Sequence, residues 1–474
     1  MVHRYRLEII SWTTGFCLLA YELVAARLLA PSIGSSTYVW TAVIGVIIAA
    51  LSLGYWAGGQ LADARGAARD VVWLLVMSAG AVVITKFSAQ PVLGWLVGSE
   101  ADVRVQALIA AAVLFAPTSL LLGMISPYLV KLNIHTLERS GRAVAALSTW
   151  NAIGSIVGTF VTGFVLFGLI GTRETLVLVT LMLLAVAWLL VPRQQTLHRA
   201  LATTVICVMA LLPAMSSRNV TIDTPSAHYE IISGQIHDRN VTALATGPSG
   251  LQSAVYRDGS PELVFWYTRQ MAELTVAQQP KSVLMLGGGA FTLPRYLAEK
   301  LPEAQIDVVE IDPHLEIIAE RYFAYDNPIN VQLRFADARQ FLEAEQGQYD
   351  VVLVDVYGEN NIPFSLMTHE YVQSLARFVV PDGIVVANII GGLSGGACRE
   401  LISALDASYR SEFAYGYYTT ELGDDILRDN VIVAYGRQPK TFAGLRQIPP
   451  LAGRLYTDNY APAEQLFFRC QNAT

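Results

Sequence analysis

Four features that could do chemistry fall at regular intervals in the second half of the chain. They are the run Gly287-Gly288-Gly289, then Glu310, Asp337 and Asp355. Each directly follows a short apolar segment. Consecutive glycines let a backbone turn sharply and approach a ligand closely. Glu310 lies 23 positions past Gly287, the spacing at which a strand-turn-helix unit presents an acid to ribose hydroxyls. The loop reads Gly-Gly-Gly-Ala-Phe-Thr rather than GxGxxG, and no Lys-Ser/Thr pair follows it, so a phosphate cradle is not indicated. The acids would also repel a pyrophosphate. A nucleoside without phosphates suits the set better, with ribose on Glu310 and the adenine amine on Asp337, and this points to a sulfonium nucleoside. Any one of these acids could be an ordinary helix cap; four features in register argue against that.

The elements that must position them alternate. Apolar strands are expected at Ser282–Leu286, Ile306–Ile311, Val331–Phe335, Asp350–Val354 and Gly383–Asn388, with a late one at Val431–Ala434. Helices are expected at Phe291–Lys300 and His314–Tyr322. Such alternation predicts a doubly wound, Rossmann-like α/β sheet with ligands at the carboxyl ends of its strands, over 276–474. Before it, 217–275 reads as a small β-rich subdomain, with strands at Glu230–Ile232 and Val241–Ala245 and a turn at Arg257-Asp258-Gly259-Ser260.

The first part of the chain differs. Of the 474 residues 53% are hydrophobic and 15% charged, and mean hydropathy is +0.42; soluble chains carry about 25% charge. The apolar excess lies in 1–216, read as a helical multi-pass membrane domain. Seven candidate spans run over 7–30, 38–61, 71–97, 105–131, 143–170, 173–191 and 200–215, the last short and containing Pro213. Arg and Lys in alternate loops place the N-terminus in the cytoplasm. Seven spans would then put the C-terminal domain outside, whereas six plus an interfacial segment would keep it inside. Glu22, Arg27 and Lys86 interrupt apolar runs, at about 2.5–3.5 kcal/mol each on insertion scales. They form a candidate polar site, or pair with one another, Glu22 with Lys86. Gly54/Gly58 and Gly154/Gly158 are GxxxG motifs suited to close helix packing. A net charge of −7 without basic clusters excludes nucleic acid as a partner. The scattered Cys17, Cys207, Cys398 and Cys470 argue against a disulfide framework and against a metal site.

The stretches Val283–Gly289, Val309-Glu310-Ile311-Asp312-Pro313, Asp337-Ala338, Tyr349–Asp355, Leu251-Gln252-Ser253 with Tyr267, and Thr457–Pro462 resemble the spermidine synthase (polyamine aminopropyltransferase) family. Tyr21-Glu22-Leu23, Arg27 and Asn151–Gly154 are similar to its membrane-fused members. The resemblance implies decarboxylated S-adenosylmethionine as co-substrate, with no permanently bound cofactor, and methylthioadenosine as product. The nucleoside would lie on Gln252, Gly287, Gly288, Gly289, Glu310, Asp337 and Ala338. Asp355 would act as base and Tyr267 would orient the amine, a polyamine such as putrescine or spermidine, with Glu359 and Asp458 on the amine side. It also implies a homodimer. The pattern departs where the family has further amine-binding acids: Ala290, Gly358 and Asn459 stand there. Two other functions stay open, an S-adenosylmethionine-dependent methyltransferase and a non-catalytic transporter or sensor of polyamine or nucleoside. The expected location is a bacterial-type plasma membrane. Because adenosyl sulfonium compounds are made in the cytoplasm, the soluble domain is expected there.

Overall fold

The structure is a computed structural model that describes residues 5–34, 36–99, 101–134, 140–190, 196–212, 220–246, 250–357, 363–423, 428–448, 451 and 453–471. The chain forms two compact units, Met1–His228 and Tyr229–Thr474.

In the first unit the apolar segments are helices. These are α1 (Arg6–Ile33), α2 (Thr37–Ala64), α3 (Ala68–Val97), α4 (Val103–Leu114), α5 (Ala116–Asn133), α6 (Ser140–Val161), α7 (Phe167–Leu169), α8 (Gly171–Ala187) and α9 (Thr196–Leu211). A π-helical turn at Thr162–Leu166 joins α6 to α7. A short strand, β1 (Val220–Asp223), follows. Among the described residues four helices are long and apolar enough to cross a membrane, and five if α4 and α5 count as one broken span. Of the seven spans expected, the last two correspond to α8 and α9, with 17 and 16 residues. At 1.5 Å per residue α9 is about 24 Å long, short of a hydrocarbon core of about 30 Å.

The expected continuous span at 105–131 is instead bent by 50° between α4 and α5. Pro117 has no N–H, and its ring clashes with the carbonyl four residues back. The Leu114 carbonyl exposed at the break accepts hydrogen bonds from Tyr21 Oη (3.1 Å) and Thr85 Oγ1 (2.8 Å), as a buried carbonyl requires. Both GxxxG motifs lie at helix crossings. A Cβ on Gly154 would sit 1.9 Å from the Trp12 carbonyl oxygen, and one on Gly58 2.6 Å from that of Met124. Backbones this close exclude any side chain.

Glu22 and Lys86 do not form the expected pair among the described residues. Lys86 Nζ donates to the carbonyls of Ala210 (2.6 Å) and Leu212 (3.0 Å) at the end of α9. Helix C-termini present unsatisfied carbonyls and negative potential, which attract a cation. Arg27 donates to the carbonyls of Thr224 and Pro225, both at 2.5 Å, and lies 4.5 Å from the Phe167 ring centroid. Glu22 is half-buried on α1.

From Tyr229 onward the second unit takes in β2 (His228–Ile236), β3 (Arg239–Thr246) and β4 (Leu251–Tyr256), paired antiparallel. His237 and Asp238, both at positive φ, make the two-residue turn between β2 and β3, the geometry that matches strand twist in tight hairpins. Helix α10 (Trp266–Ala277) leads into β5 (Ser282–Leu286), α11 (Thr292–Lys300), β6 (Gln305–Glu310), α12 (His314–Tyr322), β7 (Val331–Phe335), α13 (Ala338–Ala344) and β8 (Tyr349–Val354). Then come α14 (His369–Ala376), β9 (Val379–Gly391), α15 (Gly396–Arg410), β10 (Tyr415–Thr420), β11 (Asp429–Gly436), β12 (Arg446–Gln447) and α16 (Ala463–Gln471). The sheet order is β12-β10-β11-β9-β8-β5-β6-β7. The five strands β7-β6-β5-β8-β9 are parallel, and β11 runs antiparallel to β9. The strand order reverses between β5 and β8, with β6 and β7 added on one side and β8 and β9 on the other, and this is the switch point at which such Rossmann-like folds bind ligands. Central-strand residues such as Val283, Leu284, Val351 and Leu353 are fully buried, which accounts for their uninterrupted apolar sequence.

One expectation is overturned. Cys398 on α15 and Cys470 on α16 form a disulfide, with Cα atoms 4.6 Å apart. They are 72 residues apart in sequence, so only the packing of the two helices brings them together. The packing reading of the glycines can be tested directly. Gly154→Leu should lower the thermal midpoint of the detergent-solubilised chain, in line with overpacking costs of about 1–3 kcal/mol. Gly45→Leu, which meets nothing within 4 Å, should leave it unchanged.

Candidate active site

The site begins at the turn after β5. Gly287 has φ +85°, and a Cβ there would sit 2.1 Å from the Asp355 carbonyl oxygen. Only glycine permits this approach of the two central strand ends. The Gly287 N–H donates to the Val309 carbonyl, and the Asp355 N–H to that of Leu286, both at 2.9 Å. The ends of β5, β6 and β8 are thus laced together. Gly288 admits the ring of Phe291, which a Cβ would meet at 2.3 Å.

Glu310, at the end of β6, is 7% exposed. One carboxylate oxygen accepts the N–H groups of Gly288 (2.8 Å) and Gly289 (3.2 Å). The other accepts those of Ile311 (2.7 Å) and Asp312 (3.1 Å). Burial pushes its pKa up, while the four N–H groups pull it down. Glu310 therefore shapes the glycine loop as well as presenting an acid to it. Ser253 on β4 contributes from the other side, its Oγ accepting the Ala290 N–H at 3.1 Å.

Asp355 follows β8. Burial raises its pKa to about 6; the hydrogen bond from Asn388 opposes this, and the nearby Glu310 charge adds to it. The Asn388 Nδ2 donates to Asp355 Oδ1 at 3.0 Å. Asn388 is 6% exposed, and its own Oδ1 has no partner among the described residues. Tyr357 braces this corner: its hydroxyl donates to the Asn388 carbonyl (2.9 Å) and accepts the Ile390 N–H (2.8 Å). Tyr267 is electrostatically coupled to Asp355 and Tyr357, and burial drives its pKa well up. Its hydroxyl donates to the Gln252 carbonyl at 2.8 Å. The candidate base, Tyr267 and the Gln252 backbone are therefore neighbours, although far apart in sequence.

The other expected residues are placed as follows. Asp337, at the end of β7, caps α13, its carboxylate accepting the Gln340 N–H at 2.9 Å; Ala338 is buried on the first turn. Asp458 lies in a separate network, accepting from Thr368 Oγ1 (2.7 Å) and from Arg339 (2.9 Å). Glu359 and Gly358 lie outside the described residues. Sequence reasoning missed Asn388, Tyr357 and Ser253 as site residues. Asn388 had one signal, a polar residue near the end of an apolar strand; Tyr357 and Ser253 had none beyond proximity to Asp355 and Gln252.

With four N–H donors converging on Glu310, Glu310→Gln would aim amide hydrogens at some of them. Urea unfolding should show a loss of about 1–3 kcal/mol, the cost of leaving buried polar groups unsatisfied.

Comparisons with known proteins match part of the chain. Residues 264–388 match the spermine/spermidine synthase domain. A polyamine aminopropyltransferase of Vibrio vulnificus is 33% identical over 172 residues, 35% of this chain and 56% of its own. The chain thus spans about half the length of that relative. A human eEF1A lysine and N-terminal methyltransferase is 25% identical over 134 residues, 26% of this chain and 18% of its own. Among solved structures, a probable spermidine synthase from Corynebacterium glutamicum aligns with TM-score 0.42 at 20% identity, over 48% of this chain and 82% of its own. The second unit is thus a Rossmann-like domain that carries, at residues 264–388, a match to the spermine/spermidine synthase domain.

Proposed function

We propose that the chain is a membrane-bound aminopropyltransferase of spermidine synthase type. One observation carries the reading: Asp355, at the end of a central strand beside the glycine loop, is held by Asn388 with a pKa of about 6. An alkyl ammonium must lose a proton before it can attack carbon, and a carboxylate with a raised pKa accepts one more readily than an ordinary acid. In the proposed step the acceptor nitrogen bonds to the aminopropyl carbon next to the sulfonium. The C–S bond breaks, its electron pair stays on sulfur, and neutral methylthioadenosine leaves. The proton passes from nitrogen to Asp355 and then to water. Glu310 and Asp337 would hold ribose and adenine, and Tyr267 would orient the amine.

The apolar helices of the first unit support membrane insertion, in a plasma membrane with the N-terminus cytoplasmic. Substrate supply supports a cytoplasmic second unit. The Cys398–Cys470 disulfide supports the opposite side, because disulfides persist in oxidising compartments. A reporter fused after Thr474, active on one side only, decides between them.

A second chemical reading, methyl transfer from S-adenosylmethionine, is favoured by Ala290. It is fully buried and offers no acid where the resembled family holds the aminopropyl ammonium. Mass spectrometry separates the two: methylthioadenosine signals aminopropyl transfer, and S-adenosylhomocysteine methyl transfer. Asp355→Asn should lower the rate of methylthioadenosine release by about 10²–10⁴-fold while methylthioadenosine still binds. The base works deprotonated, so kcat/KM should rise with pH through about 6 and fall away below it. A flat profile from pH 5 to 8 would remove Asp355 from the role of base.

A further inference from the structure

Arg428 immediately precedes β11. The register pairs Asp429 with Gly391 and Asn430 with Ile390. Because β11 runs antiparallel to β9, its start lies at the carboxyl end of β9, the ligand-binding edge of the sheet. Arg428 is electrostatically coupled to Tyr357, the residue that bonds Asn388 and Ile390. Its guanidinium is half-buried, and among the described residues no hydrogen bond or ion pair satisfies it. The adjacent Asp429 does not supply one, since its carboxylate accepts the N–H groups of Leu422 (2.9 Å) and Asn430 (2.7 Å). Taking a charge partly out of water without a partner is unfavourable, so the position suits an anionic group of a ligand.

The sheet order states which end of the ligand that is. Glu310 and Asp337 end β6 and β7 on one side of β5, whereas β8, β9 and β11 lie on the other. Arg428 thus flanks the Asp355 side, away from the candidate nucleoside acids. A simple diamine is all cation and would be repelled by Arg428.

We propose that the amine acceptor carries a carboxylate, received by Arg428 while its amine nitrogen faces Asp355. The inference rests on the aminopropyl-transfer reading for the reaction, but not for the binding. Ornithine is the probe, because it is putrescine bearing one α-carboxylate. Full-length protein in detergent, supplied with decarboxylated S-adenosylmethionine, should release methylthioadenosine with a kcat/KM at least about tenfold higher for ornithine than for putrescine. Arg428→Gln should lower the ornithine value about ten- to hundredfold, mainly through KM, as expected for a lost charged hydrogen bond; Arg428→Lys should restore part of it. A wild-type preference for putrescine, or an unchanged preference in Arg428→Gln, overturns the proposal. If neither acceptor yields methylthioadenosine, the transfer reading fails, and calorimetry on the methylthioadenosine-loaded chain decides the role of Arg428. Ornithine binding that weakens at least tenfold in Arg428→Gln upholds it, and equal binding refutes it. Retained methylthioadenosine binding shows that the variant site is folded.

Discussion

The close approach of Gly287 to the backbone of Asp355 is the constraint on which the candidate site depends. It leaves no room for a Cβ. It brings the ends of β5 and β8 together at the switch point, and with them the loop that Glu310 organises and the carboxyl that Asn388 holds. Glu310 is part of the same arrangement. Its four N–H bonds fix the glycine loop and the start of the next turn, so the acid proposed to meet ribose also builds the floor on which ribose would rest. Preorganisation of this kind removes the entropy cost of ordering the loop when a ligand binds.

Charge is arranged unevenly across the site. Asp355 is half-buried near Glu310, and the mutual repulsion helps keep its pKa close to neutrality. A base poised there can both take a proton and release it near pH 7. On the far side of β9 the charge changes sign at Arg428. The positions at which the resembled family carries further acids are Ala290 and Asn459 in this chain, with Gly358 outside the described residues. The missing acids at Ala290 and Asn459, together with the cation at Arg428, are the grounds for the proposed preference for an amine that brings its own negative charge.

The helical unit shows how polar groups are settled in an apolar setting. The break at Phe115 exposes a carbonyl that Tyr21 and Thr85 satisfy, and the end of α9 exposes two that Lys86 satisfies. Both follow from the rule that a buried backbone group needs a partner. Lys86 therefore has a local structural reason to interrupt an apolar helix, independent of any ligand.

The sequence by itself determined the alternation of strand and helix, the glycine turn and the acids that close β6, β7 and β8, because each of these is encoded by neighbouring residues. Strand periodicity and turn chemistry are local, and so were legible. Helical character was legible in the same way for the apolar segments, although not the bend at Phe115. Tertiary structure alone decided what long-range contacts decide. It brought Asn388 to Asp355 across two strands, placed the Tyr267 hydroxyl on the Gln252 carbonyl, and gave Asp458 to Arg339. It also joined Cys398 to Cys470, and turned Lys86 toward the end of α9 rather than toward Glu22. None of these pairings leaves a mark at short sequence separation, since each depends on which elements pack side by side and in what register.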